Sequence, residues 1–208
     1  LSLSVNQAGG FVKTDPDSDR PNMQLYFSPV SYTKAPKGKR PLMNPDPFPG
    51  FLIGMQPTRP TSRGHLALRS ANPFDPPEIH PNSLSTPHDM TEMIEGCKIL
   101  RKIAASPALQ AVIDEEIRPG PQVETDAQML EDVRDRCSTV FHPVSTCRMG
   151  TDPKQNVVDN TLKVHGIDGL RVVDASIFPT LTSGNTNAPA IMVGEKGADL
   201  ILQDIRTV

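Results

Sequence analysis

Residues 142–150 read HPVSTCRMG, and residues 185–189 read NTNAP, beginning 43 positions after His142. Taken alone, a histidine next to a proline is usually a loop or core residue, and Gly184–Asn185 is typical of a turn. Between these runs lie VVD at 157–159 and GLRVVDAS at 169–176. Four short motifs in this order and spacing rarely arise by chance, so this part of the chain decides how the rest of the sequence is interpreted.

Together these motifs resemble the C-terminal signature of the glucose–methanol–choline (GMC) oxidoreductases, flavoenzymes that oxidise alcohols. The resemblance is closest to the bacterial choline-dehydrogenase-like branch. It extends with less specificity to SRGHLAL at 62–68 and to the predicted helix over 89–103. These two segments resemble a strand and a helix of the family's substrate-binding domain.

The resemblance implies a set of site residues. His142 corresponds to the active-site histidine of the family, and Asn185 to the second His or Asn beside it. Phe141 corresponds to an aromatic wall of the substrate pocket. The residues that the resemblance places beside the FAD cofactor are Asp174, Ala175, Thr186 and Asn187.

These residue types suit the oxidation of an alcohol, which removes a proton from oxygen and a hydride from carbon. An imidazole is a base near neutral pH, so His142 is expected to be the general base. An amide such as that of Asn185 can orient the hydroxyl group and stabilise developing alkoxide charge. The resemblance implies that the hydride passes to N5 of FAD, and that the N-terminal end of the last helix favours the anionic reduced flavin.

The sequence departs from the family at Ser145, where a His-x-x-Gly-Thr pattern is usual. Serine is small, so we expect the turn to survive. If the backbone here has a positive φ, serine costs on the order of 1 kcal/mol relative to glycine.

A glycine-rich dinucleotide fingerprint, G-x-G-x-x-G, is absent from the 208 residues. The chain is therefore expected to be the C-terminal part of a larger enzyme, with the N-terminal FAD-binding half as its partner. The opening LSLSV has no Met and resembles mid-chain sequence. Alone, the chain is expected neither to bind FAD tightly nor to turn over.

Composition and charge narrow the classes of partner. The net charge of −3 argues against nucleic acid, and the basic cluster Lys34–Arg40 is expected to be a solvated loop. No segment approaches the roughly 18 apolar residues of a membrane span. Cys97, Cys137 and Cys147 are expected to be reduced thiols, which favours a cytoplasmic location. The remaining histidines show no metal-ligand spacing, so we expect no metal.

The pattern of short strands followed by helices predicts an α+β fold, an antiparallel sheet with flanking helices. Residues 1–140 are expected to form a partial substrate-binding domain. By the resemblance, residues 141–208 complete an α/β FAD-binding domain. Strands are predicted at 23–27, 51–56 and 65–70, and in the last of these Leu66 and Leu68 share one face.

Helix signals follow from residue 86. Thr86, Pro87 and Asp89 predict a helix start, followed by an apolar stripe from Met90 to Ala104. A second helix is predicted over 106–117. Thr125 and Gln128 form a capping box that opens a third helix, whose buried side includes Cys137. Short strands at 140–141 and 170–173 and a last helix from Ala188 to about Ile205, with Asn187 as its cap, complete the prediction.

Two other functions stay open at this point. A cyanohydrin lyase on the same fold would hold flavin without net oxidation, and a non-catalytic binding domain would keep the fold alone. The alcohol and the electron acceptor do not follow from the sequence.

Overall fold

We describe the chain from a computed structural model, which covers residues 6–33 and 44–206. The Lys34–Arg40 cluster therefore lies outside the described residues. Contacts divide the chain into two compact units. The first unit comprises residues up to 62 together with 84–138, and the second unit comprises 63–83 together with 139 onward. The domain boundary expected at residue 140 stays a prediction.

The described part of the first unit contains five strands, which in chain order are β1 (Ala8–Val12), β2 (Met23–Ser28), β3 (Tyr32–Thr33), β4 (Asn44–Pro45) and β5 (Leu52–Pro57). Three of them, β1, β2 and β5, form an antiparallel sheet. β2 lies between β1 and β5, and β3 pairs with β4 in a separate ladder. Two predicted strands, at 23–27 and 51–56, are thereby confirmed. Antiparallel pairing in every ladder confirms the α+β class.

Helix α1 (Pro87–Ala104) begins where its capping residues predict, with the Thr86 hydroxyl accepting from the Asp89 N–H. Its buried face is different from the predicted stripe, because Asp89, Glu92, Met93 and Gly96 are the buried residues. A Cβ atom on Gly96 would lie 2.5 Å from Met55 Sδ. The glycine therefore lets α1 approach the sheet closely.

The second predicted helix is wrong in extent. Helix α2 (Pro107–Gln110) has four residues, whereas the prediction extended to residue 117, and the apolar Val112 and Ile117 beyond it are exposed. The Arg101 guanidinium holds the segment after α2 as a loop, because it pairs with Glu116 at 3.0 Å and donates to the Gly120 carbonyl at 3.0 Å. These contacts from α1 hold the segment in an irregular path.

The third predicted helix is confirmed. Helix α3 (Asp126–Arg136) opens with the expected capping box, in which Thr125 and Gln128 bond reciprocally. Cys137 was wrongly predicted to be buried, since it occupies the exposed C-cap position. All three cysteines are free thiols.

The second unit contains β6 (His65–Ala67), β7 (Glu78–His80), a 3₁₀ helix (Ala175–Ile177) and α4 (Asn187–Arg206). β6 ends before Leu68, and both Leu66 and Leu68 are exposed, so the predicted strand over 65–70 is too long and its apolar face is not buried. The last helix is confirmed. It begins at Asn187, which leaves Thr186 rather than Asn187 in the capping position.

Two short strands predicted for the second unit do not form. Phe141 has a φ of 63°, which a strand does not accommodate. Residues 170–173 contribute an isolated bridge between Arg171 and Lys163 instead of a continuous ladder.

The core of the second unit, together with the partly buried residues packed against it, includes residues of three of the four sequence motifs. Its buried residues are Val158, Leu162, Ile177, Phe178 and Val193. On α4, a Cβ at Gly197 would lie 2.3 Å from Val173 Cγ1, so this glycine permits close packing of the helix. The core therefore fixes where α4 begins relative to the 142–150 motif. Within residues 6–33 and 44–206, no helix is long and apolar enough to cross a membrane.

Candidate active site

His142 and the residues just before α4 meet in the second unit. Nδ1 of His142 lies 2.8 Å from the hydroxyl of Thr186, and Nε2 lies 2.7 Å from the amide nitrogen of Asn185. The backbone N–H of Thr186 also points at Nδ1, at a longer 3.4 Å. Both nitrogens of the imidazole are thus engaged by two neighbouring residues, Asn185 and Thr186, that lie far from His142 in the sequence.

Backbone hydrogen bonds hold the 142–150 motif in place. Cys147 N–H donates to the carbonyl of Ser176 at 3.0 Å, and Met149 N–H donates to the carbonyl of Ile177 at 2.8 Å. Because Ile177 belongs to the buried core, the loop that carries His142 is anchored to the best-packed part of the unit. The position of the imidazole is therefore determined by the core as well as by its own neighbours.

The residues that contact His142 differ in exposure. Thr186 is 8% exposed, whereas His142 is half-buried and Asn185 is exposed. A buried partner on Nδ1 fixes the ring, and an exposed partner on Nε2 leaves that edge accessible to a small molecule. This arrangement can orient a hydroxyl group and accept its proton.

The other predicted site residues are less closely connected to the imidazole. Asp174 accepts from the Ser176 N–H at 2.8 Å and so caps the 3₁₀ helix in which Ala175 lies. Among the described residues, no hydrogen bond joins Asp174 or Ala175 to His142. Asn187 is the first residue of α4, and Phe141, which precedes His142, is 72% exposed. The structure therefore brings together His142, Asn185 and Thr186 as one hydrogen-bonded group.

Sequence reasoning missed the bond between Thr186 and the imidazole. A signal was present, because Pro189 is the third residue of α4 and has no backbone N–H. A threonine at a helix N-cap often accepts from the N–H of the third residue. Because Pro189 lacks that N–H, the Thr186 hydroxyl is available for another partner.

The backbone at Ser145, where the family pattern has glycine, has a positive φ of 73°. We expect Ser145→Gly to raise the free energy of unfolding by about 0.5–1 kcal/mol. Glycine removes the left-handed strain, and its greater freedom in the unfolded chain offsets part of the gain. The thermal unfolding midpoint of the protein measures the change. Ser145→Ala is the control, because it retains Cβ and should give no such gain; equal stabilisation by both variants would contradict the argument from φ.

Within the described ranges, no group of three or more His, Cys, Asp or Glu side chains is arranged to hold a metal ion. The groups that meet at His142 are its imidazole, the Asn185 amide and the Thr186 hydroxyl.

Comparison with known proteins gives related sequences across nearly the whole chain. The GMC oxidoreductase family model matches residues 60–194. The chain is 45% identical over 205 residues to an alcohol dehydrogenase [acceptor] of Pseudomonas putida, covering 99% of this chain and 36% of that protein. It is 43% identical over 195 residues to an oxygen-dependent choline dehydrogenase of Pseudomonas fluorescens, covering 94% of this chain and 33% of that protein.

Two solved structures are similar to the fold. Pyridoxine 4-oxidase from Mesorbium loti has a TM-score of 0.81 at 27% identity, covering 95% of this chain and 38% of that chain. A formate oxidase of Aspergillus oryzae, studied for its FAD modification, has a TM-score of 0.77 at 30% identity, covering 91% of this chain and 33% of that chain. The chain thus spans about a third of the length of the curated relatives it matches.

Proposed function

This chain belongs to the GMC oxidoreductase family, and from that premise we propose that it is the C-terminal part of an FAD-dependent enzyme that oxidises an alcohol. His142 is the general base of the proposed reaction, and Asn185 assists it. The proposal includes both dehydrogenases and oxidases, which differ in the acceptor that reoxidises the flavin.

The observation that carries the proposal is the 2.7 Å contact between His142 Nε2 and the Asn185 amide on an accessible edge of the second unit. A substrate hydroxyl that displaces the exposed Asn185 amide from the single lone pair of Nε2 can transfer its proton to the imidazole. The displaced amide N–H can then donate to the substrate oxygen and stabilise the alkoxide as charge develops. The chain's own residues thus bind, orient and deprotonate the hydroxyl group.

The proposed cofactor is FAD, which when bound supplies the hydride acceptor at its N5. The residues proposed to contact it are Asp174, Ala175, Thr186 and Asn187. The exposed start of α4 fits this role, because the first N–H groups of a helix lack intrahelical acceptors and favour negative charge. Since the Thr186 hydroxyl bonds to His142, its proposed contribution to the cofactor is through the backbone.

Phe141 is proposed to form part of the wall of the substrate pocket. The residue is 72% exposed, and its positive φ of 63° turns the chain immediately before His142. An exposed aromatic ring beside a base is well suited to contact the carbon skeleton of a small alcohol. Which alcohol binds depends also on residues outside this chain.

The proposed partner is the N-terminal FAD-binding half of the same enzyme. One side of α4 carries large apolar residues that are at least 41% exposed, and they recur with helical spacing: Ile191, Ile201, Leu202 and Ile205. Such a face is costly to leave in water and is typical of a surface that another part of a protein covers. We propose that the FAD-binding half covers it, and that the chain alone neither binds FAD tightly nor turns over.

The test uses the protein that contains this chain together with its FAD-binding half. Anaerobic addition of alcohols, choline among them, is expected to bleach the flavin absorbance stoichiometrically. The isolated chain, as the control, is expected to remain colourless. Tight FAD binding and alcohol oxidation by the isolated chain would contradict the proposal. Carbonyl release from a cyanohydrin, with no bleaching by any alcohol, would favour the lyase instead.

A further inference from the structure

Thr186 occupies the N-cap position of α4, and its carbonyl accepts from Ala190 N–H at 2.9 Å. The N-cap hydroxyl would ordinarily bond an N–H in the first turn, but the third helical residue is Pro189, which has none. The Thr186 hydroxyl instead lies 2.8 Å from His142 Nδ1. Proline in the first turn thus leaves a buried hydroxyl available to the imidazole.

The hydrogen-bond distances around the imidazole indicate which ring nitrogen carries the proton. Asn185 approaches Nε2 at 2.7 Å with its amide nitrogen, which can only donate, so Nε2 presents its lone pair. A neutral imidazole then has its proton on Nδ1, and that proton is donated to the Thr186 hydroxyl oxygen. The Thr186 backbone N–H would favour the opposite tautomer, but at 3.4 Å it lies beyond the usual hydrogen-bond distance.

We propose that Thr186 is a positioning residue, whose hydroxyl holds His142 in the tautomer that carries its proton on Nδ1. This inference rests on the proposed function, in which Nε2 is the atom that accepts the substrate proton. The hydroxyl also accepts from the imidazolium that forms, because Nδ1 keeps its proton while Nε2 gains one. No electron is transferred in this step, and the proton that leaves the substrate oxygen is the one that Nε2 receives.

The environment of Thr186 makes it suitable for this purpose. Its side chain is 8% exposed, and threonine is stiff at χ1 because it is branched at Cβ. Val193, two turns along α4, is buried in the core and fixes the helix. A hydroxyl held this way loses little conformational freedom when it bonds to the ring, in contrast to one on a mobile loop.

Thr186→Val removes the hydroxyl and keeps the shape of the side chain, whereas Thr186→Ser keeps the hydroxyl. In the full protein labelled with ¹⁵N-histidine and free of substrate, the wild-type spectrum is expected to show His142 Nε2 as unprotonated. Thr186→Val is expected to shift the tautomer ratio toward protonated Nε2 and to lower kcat about tenfold, the factor that one lost hydrogen bond supplies. Thr186→Ser is expected to restore the wild-type tautomer and kcat to within about threefold.

Thr182→Val is the matched control, because it removes a hydroxyl from an exposed threonine in the preceding loop. It should change neither the tautomer nor the rate. If Thr186→Val perturbs the fold, Thr186→Ala repeats the measurement. An unchanged tautomer in the Val or Ala variant would overturn the proposal, as would a Ser variant as impaired as Val. The tautomer is measured without turnover, so it remains informative even if His142 proves not to be the general base.

Discussion

Replacing His142 by Gln is expected to lower kcat/KM for the alcohol by about 10²–10⁴, the range that general acid–base catalysis contributes. Glutamine retains a hydrogen-bonding side chain of similar reach but cannot accept a proton near neutral pH. Because His142 is not one of the buried core residues and its loop is anchored by the backbone bonds of Cys147 and Met149, the fold should persist. The assay is steady-state oxidation by the full protein, with FAD content measured on the same samples.

The matched control for this change is His80→Gln. His80 is an exposed imidazole on β7 of the same unit, stacked on His65 at a ring-centroid distance of 4.5 Å. Its replacement should leave kcat/KM within about twofold, as expected for surface substitutions. A rate within threefold of wild type for His142→Gln, with FAD bound, would refute the assignment of His142 as base. That result would favour the non-catalytic domain.

The second large effect is expected at Asp89, in the first turn of α1. Asp89 is 2% exposed, and its carboxylate accepts from Thr61 N–H at 2.7 Å, the Thr61 hydroxyl at 2.8 Å and Ser62 N–H at 2.9 Å. Asp89→Asn would present an NH₂ group to some of these donors. We expect the free energy of unfolding to fall by about 3 kcal/mol, because hydrogen bonds to a buried charge are lost and their donors stay buried.

This contribution depends on pH with a definite sign. Burial raises the pKa of Asp89, but hydrogen bonds from Ser62 and Thr61 outweigh burial and lower the pKa from 3.8 to about 2. A folded-state pKa below the unfolded value stabilises the protein above the unfolded pKa, and this stability is lost as the pH falls toward 2. The difference in stability between wild type and Asp89→Asn should shrink by about 2 kcal/mol between pH 5 and pH 2.

Asp126→Asn is the control, since Asp126 is an acidic residue in the first turn of α3 but is exposed and pairs with Lys98 at 3.0 Å on the surface. Surface ion pairs contribute about 0–1 kcal/mol, so its loss should be small. Denaturant unfolding at both pH values measures both variants. Equal losses for the two aspartates would mean that burial of Asp89 has no special effect.

Local signals predicted the helix starts well. The Thr86 hydroxyl accepts from the Asp89 N–H, and Thr125 bonds reciprocally with Gln128, so each cap has its partner only three positions along the sequence. The start of α4 was also predicted to within a residue. Strand β2 also followed, because Met23 and Leu25 alternate with less buried neighbours.

Failures of prediction occurred where a distant residue decides the structure. The apolar spacing over 106–117 favours a helix, but Arg101 binds the Glu116 carboxylate and the Gly120 carbonyl and draws that segment into a loop. On α1, Asp89 and Glu92 are polar and lie outside the predicted apolar stripe, yet both are buried. Asp89 is buried because the backbone at Thr61 and Ser62, more than 20 positions earlier, supplies its donors.

The sequence by itself determined the family, the fold class and the histidine and asparagine of the candidate site, because these are recorded in motifs whose order and spacing can be read directly. Only the tertiary structure decided that Thr186 contacts Nδ1 while Asn185 contacts Nε2, across separations of 44 and 43 residues. The distinction arises from packing, since the core around Val158 and Val193 fixes α4 against the loop that carries His142. No local propensity specifies which nitrogen of an imidazole a residue at the start of a distant helix will contact.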